Sequence, residues 1–94
     1  MRGHLANRLT SALYREAVYL VAEGVADVED VDIVMSNGPG LRLALLGPHM
    51  NYHLGGGEGG YRYYLQHLGP SQEVRWNTLG QTPLTREIKE KLIH

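Results

Sequence analysis

Cysteine and phenylalanine are both missing from this chain of 94 residues. Without cysteine, disulfide scaffolds, thiolate zinc sites and thiol nucleophiles are excluded. A basic excess is missing too, with Lys+Arg 9 against Asp+Glu 10 and a formal net charge of -1. That balance argues against a nucleic-acid partner or an anionic membrane, either of which selects for a basic patch. No apolar run approaches the roughly 18 residues of a membrane span. Arg8, Arg15, Glu16 and Glu23 interrupt the N-terminal segment, so it does not read as a signal peptide, and a cytoplasmic location is expected. The length fits one small domain spanning residues 1–94. A nucleotide-binding βαβ unit with a substrate domain does not fit in it, so a cofactor-dependent enzyme would contain this chain as one piece.

What is present is helical patterning and an abundance of glycine, with hydrophobic residues at 43% and Gly at 12. Leu5, Leu9, Leu13, Ala17, Leu20 and Val21 form one broad stripe at helical spacing, which predicts a long helix from Leu5 to Glu23. The width of the stripe predicts a central helix covered on more than one side. Gly24 suits the residue that closes it. Asp27 and Asp30 stand in capping-box positions before a second helix carrying Val28, Val31, Val34 and Met35. The Ser36–Gly40 segment breaks that helix. Leu41–Leu46 fits a strand or a helical turn, and the spacing of Leu41, Ala44 and Leu45 favours the helix. Pro48 suits the first turn of a helix running through Leu54. Tyr61, Tyr64, Leu65 and Leu68 predict a helix ending at Gly69-Pro70, after which Ser71 caps a short helix. Thr82-Pro83 opens a final segment with Leu84, Ile88, Leu92 and Ile93 as its apolar face. No stretch alternates with period two over strand length. The expectation is an all-α chain of five to six helices around a long central one.

Several constellations carry possible chemistry. Gly55, Gly57 and Gly60 satisfy G-x-G-x-x-G, yet nothing resembling a strand precedes them. A tight inter-helix turn or a close backbone approach is favoured over phosphate binding. His49 and His53 stand at i, i+4, but two ligands are too few for a closed metal site and no third is evident, so no metal is expected. Tyr61, Tyr63, Tyr64 and Trp76 offer stacking surfaces without basic neighbours, which favours a core or subunit interface over single-stranded nucleic acid. No serine lies in a nucleophile-elbow sequence. Asn7 suits either a polar helix margin or an amide donor to a substrate oxygen. Arg42 suits either a structural arginine bonded to loop carbonyls or a bidentate clamp on a carboxylate.

The motif Gly3-His4-Leu5-Ala6-Asn7-Arg8-Leu9, followed by Arg15-Glu16-Ala17, Val21–Ala26 and Glu29–Asp32, resembles the start of the C-terminal domain of the 3-hydroxyacyl-CoA dehydrogenase family. The later runs Gly38-Pro39-Gly40-Leu41-Arg42, Leu46-Gly47-Pro48 and Gly55–Gly60 resemble its lambda-crystallin branch, with L-gulonate 3-dehydrogenase and carnitine dehydrogenases. The branch pattern places Trp after this arginine and Phe after Gly-Pro, where this chain has Leu43 and His49. The resemblance implies an all-α domain like the C-terminal domain of 6-phosphogluconate dehydrogenase. It also implies an oxidoreductase in which an N-terminal Rossmann domain binds NAD and supplies the catalytic His and its Glu. The C-terminal domain would complete the substrate cleft and form a homodimer. A hydroxy acid or an acyl-CoA of fatty-acid metabolism is the implied substrate class. Asn7 matches the family asparagine that faces the reacting oxygen, and Arg42 is a weaker match for a substrate contact. The chain alone, which binds no cofactor, is expected to be inert. The alternative is a non-enzymatic helical dimerisation or adaptor module, in keeping with the broad apolar face of the first helix and the tyrosine cluster.

Overall fold

The computed structural model describes residues 2–94. Six α-helices and one short 3-10 turn account for its regular structure, with no strand among the described residues. The helices are α1 (Arg2–Ala22), α2 (Val28–Asn37), α3 (Pro39–Leu45), α4 (Pro48–Gly55), α5 (Gly60–Trp76) and α6 (Arg86–Ile93). The all-α expectation holds. The chain divides into two compact units, the first containing residues up to Asp32 with Leu79–His94, the second Ile33–Thr78.

In the first unit, α1 begins three residues earlier than the periodicity suggested and ends at Ala22. Its end is a Schellman closure. The Val25 amide bonds the Leu20 carbonyl at 3.0 Å, the Gly24 amide bonds the Val21 carbonyl at 3.1 Å, and Gly24 sits at φ 73. The Lys91 ammonium on α6 adds a bond to the Ala22 carbonyl at 3.0 Å, placing a cation at the negative end of α1. Glu16 accepts the Gly80 amide at 2.9 Å. Gly80 is pressed so closely on the Tyr19 ring that a Cβ there would overlap it.

The broad stripe of α1 is covered only in its second half, whereas its width predicted a central helix covered on more than one side. Val18 and Val21 are buried, whereas Leu5, Leu9 and Leu13 are 59%, 63% and 49% exposed. Among the described residues of the first unit, nothing supplies a surface opposite these three leucines.

The capping box forms as the sequence implies. Asp27 accepts the Asp30 amide at 2.8 Å, and Asp30 accepts the Asp27 amide at 3.5 Å. α2 carries the chain into the second unit. A single residue, Gly38, separates it from α3, so Leu41–Leu46 is helical rather than extended up to Leu45. Pro39 and Pro48 open α3 and α4, where a missing amide proton costs nothing.

α5 departs from expectation. It runs through Pro70 to Trp76 instead of stopping at Gly69-Pro70, and Ser71 caps nothing. A mid-helix proline costs roughly 3 kcal/mol through its lost hydrogen bond and ring clash. Two features oppose that cost. Gly69 has no Cβ to meet the proline ring, which relieves the usual restriction on the preceding residue. Beyond the proline, the Gln72 amide donates to the Tyr64 hydroxyl at 2.6 Å and to the Tyr52 hydroxyl at 3.4 Å. These bonds tie the distal half of α5 to its own first half and to α4. Ser71 turns its hydroxyl back to the Leu68 carbonyl at 2.8 Å.

α6 starts at Arg86, later than Thr82-Pro83 suggested, because Thr85 is the residue whose side chain accepts an amide (Ile88, 3.2 Å). Two glycine positions test the packing. Gly80→Ala should lower the unfolding free energy by about 1–3 kcal/mol, the usual cost of overpacking. Gly55→Ala, with open space around it, should stay within about 0.5 kcal/mol of the parent chain. Urea unfolding followed by circular dichroism separates the two, and an unchanged Gly80→Ala midpoint would contradict the Tyr19 contact.

Candidate functional site

α1 places His4, Asn7, Arg8, Ser11 and Arg15 three and four residues apart, so one helix face gathers all five. They line an open groove of about 460 Å³ with Ala12 as its floor. Every polar side chain there can donate a hydrogen bond, and no carboxylate joins them. Among the described residues no acid pairs with Arg8 or Arg15, and the Asn7 amide has no protein partner. A face of unpaired donors suits an oxygen-rich or anionic group. Asn7 therefore lies where an amide donor can meet a ligand oxygen.

Arg42 lies in the second unit, on the last turn of α3. It borders a pocket of about 180 Å³ with Pro39, Leu43, Pro48, Asn51 and Tyr52. Its carbonyl accepts the Leu46 amide at 2.8 Å in the helix closure. Among the described residues no hydrogen bond runs from its guanidinium to a loop carbonyl. Asn7 and Arg42 belong to different units.

The glycine-rich segment is a turn between α4 and α5. Gly60 adopts φ 62, ψ -152, a region open essentially to glycine alone. A Cβ at Gly60 would stand 2.7 Å from the His53 ring, and one at Gly56 would strike the Gly60 carbonyl. The close approach is thus internal, backbone against backbone and ring. The first amide beyond the loop, that of Tyr61, is already bonded to His53 Nδ1 at 3.1 Å. No strand leads into the loop among the described residues, since α4 precedes it. This segment does not fit a dinucleotide, and the G-x-G-x-x-G match is a helix-connecting turn.

His49 and His53 converge on one residue. His49 Nδ1 bonds the Tyr61 hydroxyl at 2.7 Å while His53 takes the Tyr61 amide, so the two rings clamp Tyr61 at both ends. Their i, i+4 spacing was the visible signal. The shared partner was not visible, because it lies across the glycine turn. No group of three or more potential metal ligands is found among the described residues.

Around the clamp, Tyr52 and Tyr64 stack with ring centroids 4.5 Å apart, and Tyr61 meets Tyr64 at 6.4 Å and 54°. With Trp76, Gln72 and Glu73 they border a second cavity of about 460 Å³, lying wholly within the second unit. Tyr63 stands apart, stacked on His67 at 4.0 Å.

The family described as 3-hydroxyacyl-CoA dehydrogenase, C-terminal domain, matches residues 3–91. An L-carnitine dehydrogenase of Bacillus cereus is 44% identical over 93 residues, which is 99% of this chain and 28% of that protein. One of Nocardiopsis dassonvillei is 44% identical over 91 residues, 97% of this chain and 28% of that protein. One of a Pseudomonas species is 36% identical over 91 residues, again 97% and 28%. The chain thus spans under a third of the length of these curated relatives. Glycine motif, asparagine-arginine pair, helical content and sequence likeness agree: the chain belongs to the 3-hydroxyacyl-CoA dehydrogenase C-terminal domain family, in the branch its motifs resemble.

Proposed function

We propose that this chain is the helical substrate and dimerisation domain of an NAD-dependent dehydrogenase acting on a 3-hydroxy acid or 3-hydroxyacyl-CoA. The family match over residues 3–91 carries the reading. The relatives named L-carnitine dehydrogenase favour a small hydroxy acid of that type over a thioester. NAD would be held by a Rossmann domain outside these residues, since the glycine turn here is filled by its own contacts. A cytoplasmic enzyme is the setting we infer.

In this reading the Asn7 amide donates to the substrate oxygen at the carbon being oxidised. An amide fixed on a helix is worth most where charge develops on that oxygen, because the donor needs no reorganisation. Arg8 and Arg15 keep the same face positive. Arg42, with no described acid partner, is available to a substrate carboxylate. The exposed Leu5, Leu9 and Leu13 form the apolar surface for a second copy or for the enzyme's other domain. A purely adaptor role would use that surface but leave the donor face without a purpose.

In the complete enzyme, Asn7→Ala should lower kcat about 10²-fold, with a smaller change in KM. Steady-state kinetics at matched circular dichroism would show it, and an unchanged kcat would return Asn7 to a structural role. Sedimentation velocity at micromolar concentration should show a dimer, converted to monomer by Leu9→Glu. A monomeric parent chain would contradict association through α1.

A further inference from the structure

Tyr61 is the one tyrosine bordering the cavity between α4 and α5 whose hydroxyl faces a base. Its oxygen lies 2.7 Å from His49 Nδ1, and both residues line the cavity. The hydroxyls of Tyr52 and Tyr64 meet the Gln72 amide nitrogen instead, at 3.4 and 2.6 Å. That nitrogen donates and takes no proton. Among the described residues His49 Nδ1 is also the one acceptor bonded to the Tyr61 hydroxyl, so the phenol donates to the imidazole. His53 fixes the other end of the residue through the Tyr61 amide, at 3.1 Å. Phenol and base are thus held together across the glycine turn.

A phenol is a poor nucleophile at neutral pH because it keeps its proton. An imidazole within hydrogen-bond reach takes that proton as the oxygen attacks, the pairing of nucleophile and base that covalent catalysis uses. The other walls select what is attacked. Tyr52, Tyr64 and Trp76 offer rings to an aromatic group, and a volume of about 460 Å³ admits a small molecule. Glu73, the one Asp, Glu, Lys or Arg among the described lining residues, disfavours an anion. We propose that Tyr61, with His49 as its base, is a nucleophilic modification site for neutral aryl esters. The Tyr61 oxygen bonds to the acyl carbon, and the bond from that carbon to the aryl oxygen breaks. The phenolic proton passes to His49 Nδ1, and the aryl group leaves as its phenolate. The product is an acyl ester on Tyr61, and the imidazolium releases its proton to solvent. The site lies within the second unit and stands whether or not the dehydrogenase reading holds.

Tyr14 and Tyr63 serve as internal controls. They are 57% and 47% exposed, and no described residue bonds their hydroxyls, whereas Tyr61 is half-buried. The full chain would be treated with limiting p-nitrophenyl acetate, and acetylation of each tyrosine followed by peptide mass spectrometry. Tyr61 should be acetylated about a hundred-fold faster than Tyr14 or Tyr63, the lower end of what a positioned base contributes. His49→Phe should bring Tyr61 down to the rate of those two, with an unchanged circular dichroism spectrum. His49→Gln keeps an acceptor without a base and should slow Tyr61 as far, so it decides the matter if His49→Phe does not fold. Acetylation that follows exposure, with Tyr14 or Tyr63 as fast as Tyr61, would overturn the proposal. So would an unchanged Tyr61 rate in a folded His49 variant.

Discussion

α1 is one helix in two environments. Its last two turns pack, with Val18 and Val21 buried, while Leu5, Leu9 and Leu13 on its first three turns face solvent. Burying a leucine is worth roughly 1.5–3 kcal/mol, so these three side chains hold several kcal/mol unrealised within this chain. A stable domain of marginal net stability rarely leaves that much unused. The donor face with Asn7 lies on the same exposed half of α1. At about 100° per residue Asn7 falls roughly opposite the leucines, so a cover on them would leave the donor face open to a ligand. Apolar docking and the proposed chemistry share one helix.

Within each unit, directed polar contacts substitute for much of what a larger core would contribute. Tyr64 is the one buried hydrophobic side chain described in the second unit, and its hydroxyl is bonded. Two histidines clamp Tyr61, Gln72 spans Tyr52 and Tyr64, and Glu16 holds the Gly80 amide. Each such bond contributes about 0.5–1.5 kcal/mol, and together they set geometry more than bulk stability. That is consistent with an active role for these surfaces. Rings whose hydroxyls are fixed present their faces at fixed angles.

Local chemistry made much of the fold legible. The Asp27–Asp30 box, the glycine at the end of α1 and the prolines opening α3 and α4 are short-range devices, readable from adjacent residues. Pro70 misled for a physical reason. Its local cost is real, but it is opposed by Gln72 bonds reaching Tyr64, eight residues back, and Tyr52 on another helix. The stripe on α1 correctly marked an apolar face, yet periodicity cannot say whether the cover comes from the same chain. Asn7 and Arg42 were legible through motif resemblance alone. The structure adds that Asn7 has donors for neighbours and that, among the described residues, Arg42 makes no loop-carbonyl bond.

Central to the proposed association is that the leucine face on the first half of α1 serves as an interface rather than a solvent face. Hydrogen–deuterium exchange reads this directly through the amides of residues 6–13, compared between the chain alone, diluted until sedimentation shows a monomer, and the complete dehydrogenase. Slow exchange in the complete enzyme, at least about a hundred-fold slower than in the dilute chain, is the predicted result. Equal exchange in the two, at the rate of a solvent-exposed helix, would contradict it.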